Sequence, residues 1–235
     1  MNPQPSPEGP LVLSYLDLRK TVGIIGLALP FAVAIGKILW QGPGIEFSIS
    51  DYYYTTTRNI LVGSLCAIGV FLASTKGYDR KDESAGYLAG VFAIGTALFP
   101  TTPAPDPTSQ AKVIGVLHYA FAALLFLTFA YFSLVLFTRT APNKTPTRQK
   151  LHRNKVYRVC GYTILGCILL IAAVKLLPVG PLVERFRPVF WLETVAIVTF
   201  GLAWFTKGEA ILKDQEPERS RDYKVDAKVA AAGDN

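Results

Sequence analysis

From Thr21 to Trp40 the chain reads TVGIIGLALPFAVAIGKILW, twenty residues interrupted by a single charge, Lys37. At about 1.5 Å of helix rise per residue, this block matches the roughly 30 Å hydrocarbon core of a bilayer. Five further apolar blocks follow at 57–74, 84–99, 112–137, 157–177 and 189–205. Together the six predict an all-α fold, an integral membrane bundle of six transmembrane helices. Pro100 and Pro103 stop the third block and Pro178 the fifth, because proline cannot continue a helix. Of 235 residues 51% are apolar and only 17% charged, which excludes an ordinary soluble domain.

The basic residues set the orientation. Arg19 and Lys20 precede the first block, Lys76, Arg80 and Lys81 lie between the second and third, and seven Lys and Arg crowd into 139–158. The alternate connections are sparse: 41–57 and 101–110 hold no Lys or Arg, and the last holds Arg185 and Arg187. By the positive-inside rule both termini are cytoplasmic, N-in and C-in, in a multi-pass protein of the plasma membrane. The net charge of +7 is therefore read as topology and not as a sign of nucleic acid. The domain plan is a cytoplasmic segment at 1–20, a membrane domain at 21–207 and a cytoplasmic tail at 208–235, whose composition predicts a frayed helix running into disorder. The N-terminus lacks the pattern of a cleaved secretory signal.

Small residues suggest how the helices meet. Gly86 and Gly90, with Ala85, Ala89 and Ala93, leave one face of the third helix nearly bare, which places that helix at the bundle centre. Ala32 with Gly36, and Gly63 with Ala67, repeat the spacing. Cys66, Cys160 and Cys167 all fall in apolar blocks and read as core residues, not disulfides or metal ligands. Membrane lipids are the expected partners, and self-association into a homo-oligomer stays open.

Five ionisable residues share one depth near the extracytoplasmic interface: Lys37, Arg58, His118, Lys175 and Glu193. Charges in spans are costly, so each raises a functional hypothesis. Lys37 and Lys175 lie close enough to helix ends to reach the headgroups unaided. Arg58 and Glu193 are expected to pair, since a buried guanidinium needs a carboxylate. The first outer loop reads Glu46-Phe-Ser-Ile-Ser-Asp-Tyr-Tyr-Tyr-Thr-Thr-Thr-Arg58. Three consecutive tyrosines cannot all face one way, so at least one is expected to point inward and seek Glu193 or Asp51. The proline-stiffened stretch 99–106 would form a rim or lid. His118 reads either as a proton carrier or as a histidine bonded within the bundle. The candidate ligand-binding set is Asp51, Tyr52, Tyr53, Tyr54, Arg58, His118 and Glu193.

In the segments 48–76, 87–102 and 190–209, with a Ser-Ile-Ser-x-Tyr-Tyr-Tyr stretch, a Gly-Tyr-Asp loop and an Ala-Leu-Phe-Pro ending, the chain resembles a group of small bacterial multi-pass membrane proteins of unknown function. The resemblance implies a bacterial membrane origin and no particular activity.

Three functions compete. A pocket carrying Arg58, His118 and tyrosines would accommodate the headgroup of a lipid or other amphiphile. A membrane hydrolase is the second reading; with only His118 and His152 it could not be a three-histidine zinc enzyme, leaving carboxylate-assisted hydrolysis by Asp51 or Glu193. A small-solute or proton-coupled transporter is the third, opposed by the placement of the titratable groups away from the membrane midplane. No nucleotide-binding glycine loop or zinc-protease helix occurs, and no metal or cofactor is expected.

Overall fold

Apolar stretches of this length leave the backbone no partners but itself inside a membrane, and helix is the outcome. The computed structural model describes residues 8–75, 80–140, 145–177, 180 and 185–208. Six long helices occur among them: α1 (Glu8–Gln41), α2 (Arg58–Ala73), α3 (Arg80–Leu98), α4 (Ser109–Tyr131), α5 (Arg148–Leu176) and α6 (Pro188–Lys207). A short 3-10 helix, Ser50–Tyr54, precedes α2, and α4 continues as a π-helical turn, Phe132–Leu136. No strand occurs among the described residues.

Four of these helices are long and apolar enough to cross a membrane: Leu16–Gln41, Ser109–Leu136, Arg148–Leu176 and Pro188–Lys207. Only 22% of the apolar window in α5 is buried within the protein, and Leu169 and Leu176 are largely exposed. A soluble bundle would turn such side chains inward, so the arrangement fits a membrane-embedded protein. α2 is apolar but has 16 residues, and α3 opens on the charged run from Arg80 to Glu83.

Two helices are longer than the apolar pattern predicts. α1 begins at Glu8 and α5 at Arg148, nine residues ahead of the expected start at 157. At α5 the side chain of Thr147 accepts the Lys150 N–H at 3.1 Å, a cap that starts the helix in its polar part. Pro30 does not break α1, which runs through it. The tail from 209 onward and residues 1–7 lie outside the described residues.

Each helix packs on its neighbours in chain order, and α6 closes the ring by packing on α1. Glycine permits the closest approaches. A Cβ at Gly201 would lie 2.7 Å from Leu27 N and 2.8 Å from Gly23 O, so α1 and α6 meet backbone to backbone. The bare face of α3 works the same way: a Cβ at Gly90 would lie 2.6 Å from Gly69 O of α2. α3 is nevertheless not central. It takes its place in the ring between α2 and α4, with Tyr87 and Val91 exposed. Gly63, expected on a packing face, meets nothing within 4 Å. The centre is aromatic instead: Phe129 of α4 stacks on Phe200 of α6 at 3.6 Å between ring centroids, and Trp204 takes Phe132 and Phe137 edge-on. Cys66, Cys160 and Cys167 are free thiols, the last two buried.

The connections 41–57 and 99–108 gather at one end of the ring, here termed the tyrosine end, with the last turn of α5 and the first turn of α6. The last turn of α2 and the first turn of α3 lie at the other, with the end of the π-helical turn and the basic first turns of α5.

Candidate functional site

At the tyrosine end the loop after α1 folds back over the helix it leaves. Gly42 and Gly44 adopt φ of 105° and 107°, where a side chain would be strained. The turn brings Glu46 within 3.5 Å of Lys37 Nζ, which also donates to the carbonyl of Gly44 at 3.2 Å. Lys37 therefore does not reach out alone, as its position suggested; it is buried and ties the loop down. The hydroxyl run is turned inward as well. Thr57 is fully buried and donates to Val33 O at 3.2 Å, while Thr55 donates to Tyr52 O at 2.9 Å.

The three tyrosines diverge, as three successive residues of a tight helix must. Tyr52 is fully buried against Phe190, and its hydroxyl accepts the Glu46 N–H at 3.4 Å. One tyrosine thus points inward, but its partner is the loop backbone and neither Glu193 nor Asp51. Tyr53 lies beneath Arg58, whose guanidinium sits 4.0 Å from the ring centroid and donates to the phenol oxygen. Tyr54 has a half-exposed ring, but its hydroxyl donates to Thr101 O at 2.5 Å. Burial pushes the Tyr52 and Tyr54 hydroxyls above the ordinary phenol value; the nearby Tyr53 and Asp51 push Tyr54 the same way.

Thr101 joins the two loops. Besides accepting from Tyr54 it donates its own hydroxyl to Asp51 Oδ1 at 3.0 Å. Segment 99–106 is accordingly a rim fastened to the first loop. His118, buried on α4, holds the other side of that rim: its Nδ1 lies 2.6 Å from Phe99 O, so Nδ1 carries the proton and donates. No local signal in the sequence marks Thr101 or Thr57, since a threonine in a loop or just ahead of a helix reads as solvent-facing.

Arg58 and Glu193, expected to pair, do not. Arg58 is exposed, and among the described residues no carboxylate lies within salt-bridge distance of it. Glu193 instead accepts the Ile49 N–H at 2.6 Å across 144 residues of sequence. The reason is the loop. Its 3-10 turn presents backbone N–H groups to the carboxylate, while Tyr53 holds the guanidinium outside. Around Glu193 the loop docks on the first turns of α6: Phe190 N–H donates to Phe47 O at 3.0 Å and Arg187 covers the Phe47 ring at 3.3 Å. Beneath it lies a cavity of about 40 Å³ lined by Leu61, Leu125, Phe129 and Phe200, with Ser50, Thr96 and Glu193 as its polar members. Lys175 is exposed and stands 5.6 Å from the Tyr119 ring.

The seven candidate residues thus share one end of the bundle but split into three groups: Asp51 and Tyr54 with His118 on the rim, Tyr53 with Arg58 outside, and Tyr52 with Glu193 beneath the loop. No set of three or more metal-ligating side chains occurs among the described residues. Comparison with protein-family models, curated proteins and solved structures yields no match to this chain.

Proposed function

We propose that the chain is a six-span plasma-membrane protein with both termini cytoplasmic, and that it binds lipid or another amphiphile by an anionic headgroup at its extracytoplasmic tyrosine end. Arg58 is the observation that carries this reading. It is exposed, its plane is fixed on the Tyr53 ring, and among the described residues no acid neutralises it. A fixed guanidinium with outward donors at headgroup level suits a phosphate or carboxylate. Arg187, held over Phe47 in the neighbouring loop, adds a second cation of the same kind. The headgroup would meet this rim and would not enter the bundle, because ligand pockets run to about 300–1,000 Å³ and the internal cavity is about 40 Å³.

Binding is favoured over hydrolysis because both candidate catalytic carboxylates are engaged, Asp51 by the Thr101 hydroxyl and Glu193 by the Ile49 N–H. The test is native mass spectrometry of protein purified in mild detergent, with extraction of retained lipid. Wild type is expected to keep an anionic lipid that Arg58→Ala weakens and Arg58→Ala with Arg187→Ala loses. Equal retention in all three would count against the rim as the binding site.

A further inference from the structure

Glu193 is not used by the rim, and its surroundings set it apart from every other acid described. It sits one turn into α6 with an apolar cavity on one side and the turn at Ile49 and Ser50 on the other. The segment 47–52 covers that cavity and is held to α6 by four contacts: Phe47 O with Phe190 N–H, the Phe47 ring under Arg187, Tyr52 against Phe190, and Ile49 N–H with Glu193. Three of these do not change with protonation in the ordinary pH range. The fourth does.

We propose that Glu193 is a proton-binding site whose occupancy decides whether the 47–52 segment stays docked over the cavity. Ionised, the carboxylate accepts the Ile49 N–H as a charge-assisted bond, roughly twice as strong as a neutral one. Protonated, it is only a weak acceptor for that N–H, while the cavity beside it is large enough for water once opened: about 40 Å³ against the roughly 10–15 Å³ that one water requires. Protonation therefore favours the undocked segment, and undocking favours protonation. The charged groups on the elements around Glu193 are Asp51 on the segment itself and Lys175 in the last turn of α5. The α1, α2, α3 and α4 walls contribute Leu29, Leu61, Thr96 and Phe126 to the cavity and no charge. The inference goes beyond headgroup binding and does not depend on it.

Hydrogen–deuterium exchange of the 47–52 amides in lipid nanodiscs, corrected for the intrinsic pH dependence of exchange, tests it. Wild-type exchange should quicken by at least tenfold as pH falls, and Glu193→Gln should exchange at the fast rate throughout. If Glu193→Gln does not fold, the same wild-type protein is treated with a hydrophobic carbodiimide, which modifies protonated carboxyls, and mapped by peptide mass. Glu193 modification should rise as pH falls, in step with the exchange. A corrected wild-type exchange rate independent of pH overturns the proposal. So does a pH response that survives Glu193→Gln and vanishes in His118→Asn, or Glu193 modification that is flat with pH, absence at every pH included.

Discussion

Thr101 shows how much a single residue carries at the tyrosine end, since its carbonyl and its hydroxyl each hold a different residue of the neighbouring loop. Tyr54→Phe deletes one of those bonds and should lower stability in detergent by about 1 kcal/mol, read as a fall in the thermal unfolding midpoint. The alkaline limb gives an independent check. The Tyr52 and Tyr54 phenols titrate above the ordinary value of 10.0 in the folded protein, so the folded state holds its protons longer than the unfolded one. Their stabilisation is complete below that ordinary value and is lost as pH rises through the higher folded one. Wild type should thus lose thermal stability above about pH 10, and Tyr54→Phe should lose less of it over the same range. The residue types were legible in the sequence, and the structure brings them to one end of the bundle. The partners were not. Arg58 and Glu193 look complementary on paper, but Tyr53 takes the guanidinium and a backbone N–H takes the carboxylate.

Helices are where the sequence speaks most clearly, because twenty apolar residues in a row admit few other structures. Their ends are less clear: α1 and α5 outrun their apolar parts, α5 because the Thr147 cap starts it in a polar stretch. Contact faces are less clear still. The glycine spacing in α3 was visible and does meet α2, yet the closest approach of α1 with α6, at Gly23 and Gly201, carries no such local pattern because its two members sit on different helices. Gly201→Ala should therefore force α1 and α6 apart against backbone atoms and cost about 1–3 kcal/mol. Gly63→Ala, with nothing within 4 Å of the added carbon, should shift stability by no more than about 0.5 kcal/mol in detergent unfolding. A loss at Gly63 as large as at Gly201 would contradict this ring packing.

At the scale of the whole molecule the ring order places 41–57 and 99–108 at one end and the basic first turns of α5 at the other. The proposed six crossings with cytoplasmic termini predict that a cysteine at Asp106 in an otherwise cysteine-free chain reacts with an impermeant maleimide on intact cells. One at His152 should react only after permeabilisation; the reverse pattern would invert the orientation. What the amino-acid sequence determined by itself was local: helix, membrane residence, and the charge bias between successive connections, each a sum over neighbouring residues. Tertiary structure alone decided that α6 closes on α1, that α3 stands in the ring and not at its centre, and that Glu193 answers to a turn 144 residues away. Such contacts depend on which faces meet once the bundle closes, and small residues, a tight turn and a buried carboxylate acquire their meaning only from what the closure brings beside them.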